Sequence, residues 1–163
     1  MEELPLEIIV LLWLTGVNGV PILLTKLLDQ RFSYPIDCNR LFIDDRPILG
    51  ASKTFRGLIS ALLASVLIGS IFVIPFHISL LFGALSMAGD MTSSFIKRRF
   101  GLVSSSMALG LDQIPESLFP LLGCKGFLGL SIEQIVVIVV AFFLIELILS
   151  RLLFWLHIRK TPY

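Results

Sequence analysis

The sequence predicts an all-α integral membrane protein of about five transmembrane helices, with a short or kinked fourth helix and cytoplasmic polar loops. Three observations lead there. Of 163 residues, 56% are apolar and only 15% are charged, with a mean hydropathy of +0.93, whereas a typical soluble domain carries about 25% charged residues. Apolar runs of roughly bilayer length recur along the chain, a spanning helix needing about 20 residues at 1.5 Å each. The cations are also segregated along the chain, which fixes an orientation.

The first span is read over residues 6–25. It follows Glu2 and Glu3, contains Glu7 and lacks both a basic leader and a small-residue cleavage site, so an uncleaved span is expected rather than a signal peptide. Asn18 and Pro21 lie within it and offer an amide for an interhelical hydrogen bond and a point of bending. The second span, 58–76, has no charge and closes on Pro75. The third, 78–96, carries Asp90. The fourth, 111–122, is short and holds Asp112, Pro115, Glu116 and Pro120, the pattern of a tilted, kinked or partly re-entrant element. Non-helical backbone at membrane depth requires cover from protein or a water-lined cavity. The fifth, 135–155, carries Glu146 and Arg151.

With the amino terminus outside, the inner side holds residues 26–56, the segment after Lys97 and the carboxyl-terminal tail. Those regions contain all of the 13 Lys and Arg residues except Lys125. The positive-inside rule therefore orients a multi-pass protein of the cell (inner) membrane with its polar site facing the cytoplasm. The whole chain, 1–163, reads as a single membrane-embedded domain with no internal repeat.

Asp90 is the most informative residue. A carboxylate within a span costs roughly 2.5 to 3.5 kcal/mol on insertion scales and usually faces a partner or a watery cavity. Asp90, Ser93, Ser94 and Lys97 recur at i, i+3, i+4 and i+7, one face of a helix. The stripe can present a carboxylate, two hydroxyls and an ammonium to one cavity, and a carboxylate suits Mg²⁺. The plainer reading, stronger for Lys97, Arg98 and Arg99 than for Asp90, is a set of helix-end charges snorkelling to the interface. Asp112 and Glu116, four apart, would share a face if helical, although an Asp at a helix start is also an ordinary cap. Taken with Asp90, these acids on adjacent spans could hold a divalent cation near the inner face.

The stretch from Gly50 to Gly57 bears Lys53, Thr54 and Arg56 just before the second span. It is not a P-loop, because Ser52 and Pro47 stand where that motif requires glycines. What remains is a basic loop entering a helix amino terminus, suited either to phosphate or to anionic lipid headgroups. Elsewhere the residues read as bland. Cys38 and Cys124 fall in different loops and are not expected to pair; His77 sits at an outer turn; Asp37, Asp44 and Asp45 are expected to be solvated. Glu146 must face the bundle or be protonated. No Ser/His/Asp relay, zinc spacing or nucleic-acid surface is present.

Gly89-Asp90, then Ser93-Ser94-Phe95-Ile96-Lys97-Arg98-Arg99-Phe100-Gly101, then Leu111-Asp112-Gln113 together resemble the signature of the CDP-archaeol synthases, small relatives of the CDP-diacylglycerol synthases. The resemblance extends to Asn18 and Pro21, to Tyr34-Pro35-Ile36-Asp37, to the run from Asp45 to Gly57, and to Arg151 and the tail from Arg159 to Tyr163. The paired acidic pattern of the CDP-alcohol phosphotransferases is absent. Two departures stand out: Pro115 occupies the place of a second family Asp, with Glu116 beside it, and Ser104-Ser105-Ser106 replaces a Gly/Pro-rich loop.

The resemblance implies a nucleotidyltransferase that uses CTP and Mg²⁺ to convert an ether-lipid phosphate of the bilayer to a CDP-lipid, releasing pyrophosphate. It implies Asp90 and Asp112 as metal-binding acids, with Glu116 as the substitute third, and Asp90, Asp112 and Lys97 as the catalytic set. Lys53, Thr54, Arg56 and Lys97 are implied to handle the nucleotide phosphates, and Ser94 is expected to donate a hydrogen bond to them. A phosphatidate acceptor with ester tails and a transporter of anionic solutes remain the alternatives, and a homodimer stays open.

Overall fold

The breaks between helices follow from a few residues. The computed structural model describes residues 4–29, 31–104, 106 and 108–156, and contains α1 (Leu6–Leu28), α2 (Phe55–Ile71), α3 (Phe76–Arg99), α4 (Gln113–Gly123), the single turn α5 (Lys125–Leu128) and α6 (Ile132–Trp155). No strand occurs among the described residues; two isolated bridges, Pro35 with Thr54 and Leu41 with Pro47, tie up the loop between α1 and α2. The tail from Arg159 to Tyr163 and Ser105 lie outside the described residues.

α2 begins three residues earlier than hydropathy suggests, because the Thr54 hydroxyl caps it by accepting from the Gly57 N–H at 3.1 Å. It ends at Ile71 and not at residue 76. Val73 takes a left-handed φ of +58° and the Ile74 N–H turns back to the Gly69 carbonyl at 2.9 Å. Pro75 then stands at the N-cap of α3, where its missing N–H costs nothing. All four residues of this turn are apolar, so a hydropathy reading runs straight through it. α6 starts at Ile132 because Ser131 and Gln134 form a reciprocal capping box. α4 is short, as expected, and carries Pro120 inside it. Pro21 sits within α1 without ending it.

The helices close a ring: α1 packs on α2, α2 on α3, α3 on α4, α4 on α6, and α6 back on α1. At its centre Trp13 stacks on Phe82 with ring centroids 3.9 Å apart, surrounded by Val10, Leu14, Val17, Leu121, Ile138 and Phe142, all fully buried. The Trp13 indole N–H donates to the Ser65 carbonyl at 3.0 Å, and the Ser65 hydroxyl donates to the Ser79 carbonyl at 2.6 Å. Small residues let backbones approach, as in other membrane bundles. A Cβ on Gly83 would lie 2.7 Å from the Ser65 Cβ, and one on Gly89 would lie 2.1 Å from the Pro115 carbonyl oxygen.

The outward faces are apolar. Ile59, Leu63, Leu67 and Ile71 of α2, and Val136, Val140, Leu144 and Ile148 of α6, are each more than half exposed. α1 and α6 are long and apolar enough to cross a bilayer, and α2 is a shorter apolar helix. A water-soluble monomer seldom exposes contiguous apolar surface on this scale.

Candidate functional site

The polar groups gather where the α1–α2 loop and the α3–α4 loop meet the end of α3. Asp90, deep in the second half of α3, accepts both oxygens' worth of contact from one ammonium: Lys53 Nζ lies 2.7 Å from Oδ1 and 2.6 Å from Oδ2. Two turns further along the same helix, Lys97 Nζ lies 2.6 Å from Asp112 Oδ1 and donates to the Ser106 carbonyl at 2.9 Å. The two ion pairs thus join three segments, loop to α3 and α3 to the start of α4. The four side chains are between 8% and 22% exposed.

Asp112 is not a cap. No cap hydrogen bond is made by its side chain, and its Oδ2 instead accepts from the Ala108 N–H at 3.0 Å. Glu116 is buried one turn later, within electrostatic reach of Asp90, Glu146, Lys53 and Asp112. The close contact of Gly89 with Pro115 and the Glu116 backbone brings this part of α4 against α3. Among the described residues, however, no three His, Cys, Asp or Glu side chains converge as a ready metal cluster. Ser93 and Ser94 are buried on the stripe, the Ser93 hydroxyl donating to its own helix at the Gly89 carbonyl, 3.0 Å.

The remaining residues expected to handle phosphate are placed differently. Thr54 is the buried cap of α2. Arg56 turns away from the acids and braces the end of α1, donating to the carbonyls of Asp29 and Arg31 and to the Thr25 hydroxyl. Asn18 donates to the Ser86 hydroxyl at 3.3 Å, an interhelical bond from α1 to α3. Cys38 and Cys124 are both free thiols.

Two of the loop acids are not simply solvated, which corrects the reading of the sequence. Asp37 is buried; its Oδ2 accepts from the Leu49 and Gly50 N–H groups at 2.9 and 2.8 Å and its Oδ1 from the Asn39 N–H at 3.0 Å. Burial pushes this carboxyl up, but the Gly50, Leu49 and Asn39 N–H groups together outweigh it and hold the acid below the ordinary Asp range. Asp44 pairs with Arg99. Arg99 also donates to the Pro47 carbonyl at 2.6 Å and lies over the rings of Phe42 and Phe95. The only local hint for Asp37 was its spacing from Asn39, an Asx turn; its bonds to residues twelve and thirteen positions away leave no mark in sequence spacing.

Between the two loops lies a pocket of about 670 Å³ whose lining mixes Asp37, Asn39, Arg46, Arg98 and Ser104 with apolar Leu41, Pro47, Leu102 and Val103. A separate apolar groove of about 660 Å³ runs between α1 and α2, with Arg56 at its edge.

A family model described as CarS-like, CDP-archaeol synthase, matches residues 70–163. The chain is similar to the CDP-archaeol synthase of Sulfurisphaera tokodaii, 33% identical over 135 residues that cover 79% of this chain and 81% of the relative. It is also similar to that of Pyrobaculum islandicum, 30% identical over 151 residues and 90% of each chain. A solved structure of an intramembrane enzyme for archaeal membrane lipids biosynthesis superimposes with a TM-score of 0.71 at 28% identity, covering 88% of this chain and 91% of the other. With the outward apolar faces, these likenesses identify a membrane protein.

Proposed function

This chain belongs to the CDP-archaeol synthase family, and from that premise we propose that it transfers the cytidylyl group of CTP to an ether-lipid phosphate, releasing pyrophosphate. The reading is carried by one observation, the two carboxylate–lysine pairs Asp90–Lys53 and Asp112–Lys97. Each pair is neutral by itself and can be opened. When a polyphosphate enters, the lysines move onto its oxygens and release the two carboxylates.

Those carboxylates fit Mg²⁺. The ion takes oxygen ligands and is commonly held by only one or two protein carboxylates, the rest coming from water and substrate phosphates. Asp90 and Asp112 are the residues that would hold it, with Glu116 buried behind them. Bound there, Mg²⁺ supplies neutralisation of charge on the phosphates. The chain's own groups do the remainder. Lys53 and Lys97 stabilise charge that builds on the non-bridging and leaving oxygens, and Ser94 lies on the same face of α3 as a hydroxyl donor. Attack by the lipid phosphate on the α-phosphorus needs alignment more than covalent help, so positioning and electrostatics supply most of the acceleration.

Five helices spanning the membrane with the amino terminus outside would open the site to the cytoplasm. CTP then arrives from water and the lipid tails stay in the bilayer. The segregation of Lys and Arg supports that orientation. The test incubates the purified protein with labelled CTP, Mg²⁺ and a panel of ether- and ester-linked lipid phosphates, and separates the lipid products. A labelled CDP-lipid is expected, with ether tails preferred. Asp90→Asn and Asp112→Asn should each lower turnover by at least a hundredfold, and near-native turnover in either removes that residue from the metal-binding role.

A further inference from the structure

We propose that Asp37 is a positioning residue for Lys53: it fixes the turn from Gly50 to Lys53 so that the lysine ammonium is held at Asp90. The turn is gripped at both ends by adjacent residues. At its start, the Gly50 N–H donates to Asp37 Oδ2 at 2.8 Å, reinforced by the Leu49 N–H at 2.9 Å. At its end, the Ile36 N–H donates to the Lys53 carbonyl at 2.8 Å. Between them the Lys53 N–H closes the turn on the Gly50 carbonyl at 3.1 Å. Residues 36 and 37 therefore set both the entry and the exit of the segment that carries the lysine.

Gly50 makes the grip necessary. It holds a φ of +93°, a conformation most residues avoid, and any Cβ there would meet the Ser104 hydroxyl at 3.1 Å. Such a turn has several alternatives open to it, since a glycine hinge is the freest point of a chain. A buried carboxylate accepting two successive N–H groups selects one of them. Lysine is a flexible point charge on a four-carbon stem, so the placement of its ammonium depends on where its backbone is anchored. The Asp37 carboxylate accepts from the Asn39, Leu49 and Gly50 N–H groups while the Lys53 ammonium goes to Asp90, so its action runs through the backbone. The Tyr34-Pro35-Ile36-Asp37 stretch thereby acquires a physical role: Tyr34 and Ile36 pair with Phe55 and Lys53 across a short antiparallel bridge, and Asp37 closes it.

This inference rests on the proposed use of Lys53 to bind the nucleotide, but its first readout does not. Hydrogen exchange of the full-length protein in nanodiscs is measured for wild type and Asp37→Ala. The Lys53 amide, which Asp37 does not touch, should exchange at least tenfold faster in the variant, while the amides of the α3 core stay unchanged. An unchanged Lys53 amide overturns the proposal, as does faster exchange spread evenly over the bundle. The second readout is CTP affinity by calorimetry. Asp37→Ala should weaken CTP about tenfold in the wild-type background and less than twofold in a Lys53→Met background, the non-additivity expected of two residues acting as one unit. Equal losses in both backgrounds overturn it. If wild type binds no CTP, the proposed function fails and the exchange result still decides the clamp.

Discussion

Asp37 shows how a single side chain can be misjudged by type and place. An Asp in a polar loop is ordinarily solvated, yet this one has exchanged water for three backbone N–H groups. That exchange has a pH signature. Its carboxyl titrates below the ordinary Asp value, about 3.9, so the stability it contributes is complete above that value and disappears as pH falls through its lower native one. Thermal unfolding in detergent of wild type and Asp37→Asn should therefore differ by a constant amount from neutral pH down to about pH 5, with the gap closing only below about pH 4. Using a paired variant cancels the titration of the other acids. A gap that instead opened on acidification would mean that the native state favours the neutral acid.

The contacts between elements rest on backbone approach at a few positions, and these are not equal. A methyl group at Gly89 would strike the Pro115 carbonyl at 2.1 Å and the Glu116 nitrogen at 2.7 Å, both main chain. At Gly16 it would meet the Ile68 side chain, its Cδ1 at 2.2 Å and its Cγ1 at 3.6 Å, where the close atom is the free end of a flexible side chain. Gly89→Ala must push α4 from α3 and should cost about 1–3 kcal/mol, while Gly16→Ala should cost well under about 1 kcal/mol after a rotamer change. Thermal midpoints in detergent separate the two; equal losses would show that the α3–α4 contact can relax. Because the same displacement moves Asp112 relative to Lys97, Gly89→Ala should also lower turnover out of proportion to its stability loss. Such asymmetries explain what the sequence left legible. The helices themselves follow from long apolar runs. The stop of α2 at Ile71 does not, because Phe72, Val73, Ile74 and Pro75 are apolar and only the left-handed φ at Val73 makes the turn. The stripe of Asp90 and Lys97 is visible as spacing on one helix. Their partners, Lys53 and Asp112, were visible as polar residues, but the pairing depends on loop closure that spacing does not encode. Arg56 was grouped with Lys53 by proximity in the chain, yet helix geometry turns it to the end of α1.

For the molecule as a whole, the ring of helices presents apolar faces outward, and the proposed orientation can be tested directly. The ion pairs, the loop pocket and the clamped loop all lie toward the end from which α2 starts and at which α3 finishes. If that end faces the cytoplasm, CTP reaches the ion pairs from water and no charged nucleotide has to cross hydrocarbon. The two cysteines offer a direct reading of this arrangement. Cys38 is exposed in the loop that carries the site, whereas Cys124, at the opposite end of α4, is buried. A membrane-impermeant maleimide should label the protein readily in inside-out vesicles and hardly at all in intact cells, and Cys38→Ser should abolish the signal while Cys124→Ser leaves it. Labelling of intact cells through Cys38 would reverse the orientation, set the lysine–carboxylate pairs on the side without CTP, and so remove the reason for building a nucleotide site there.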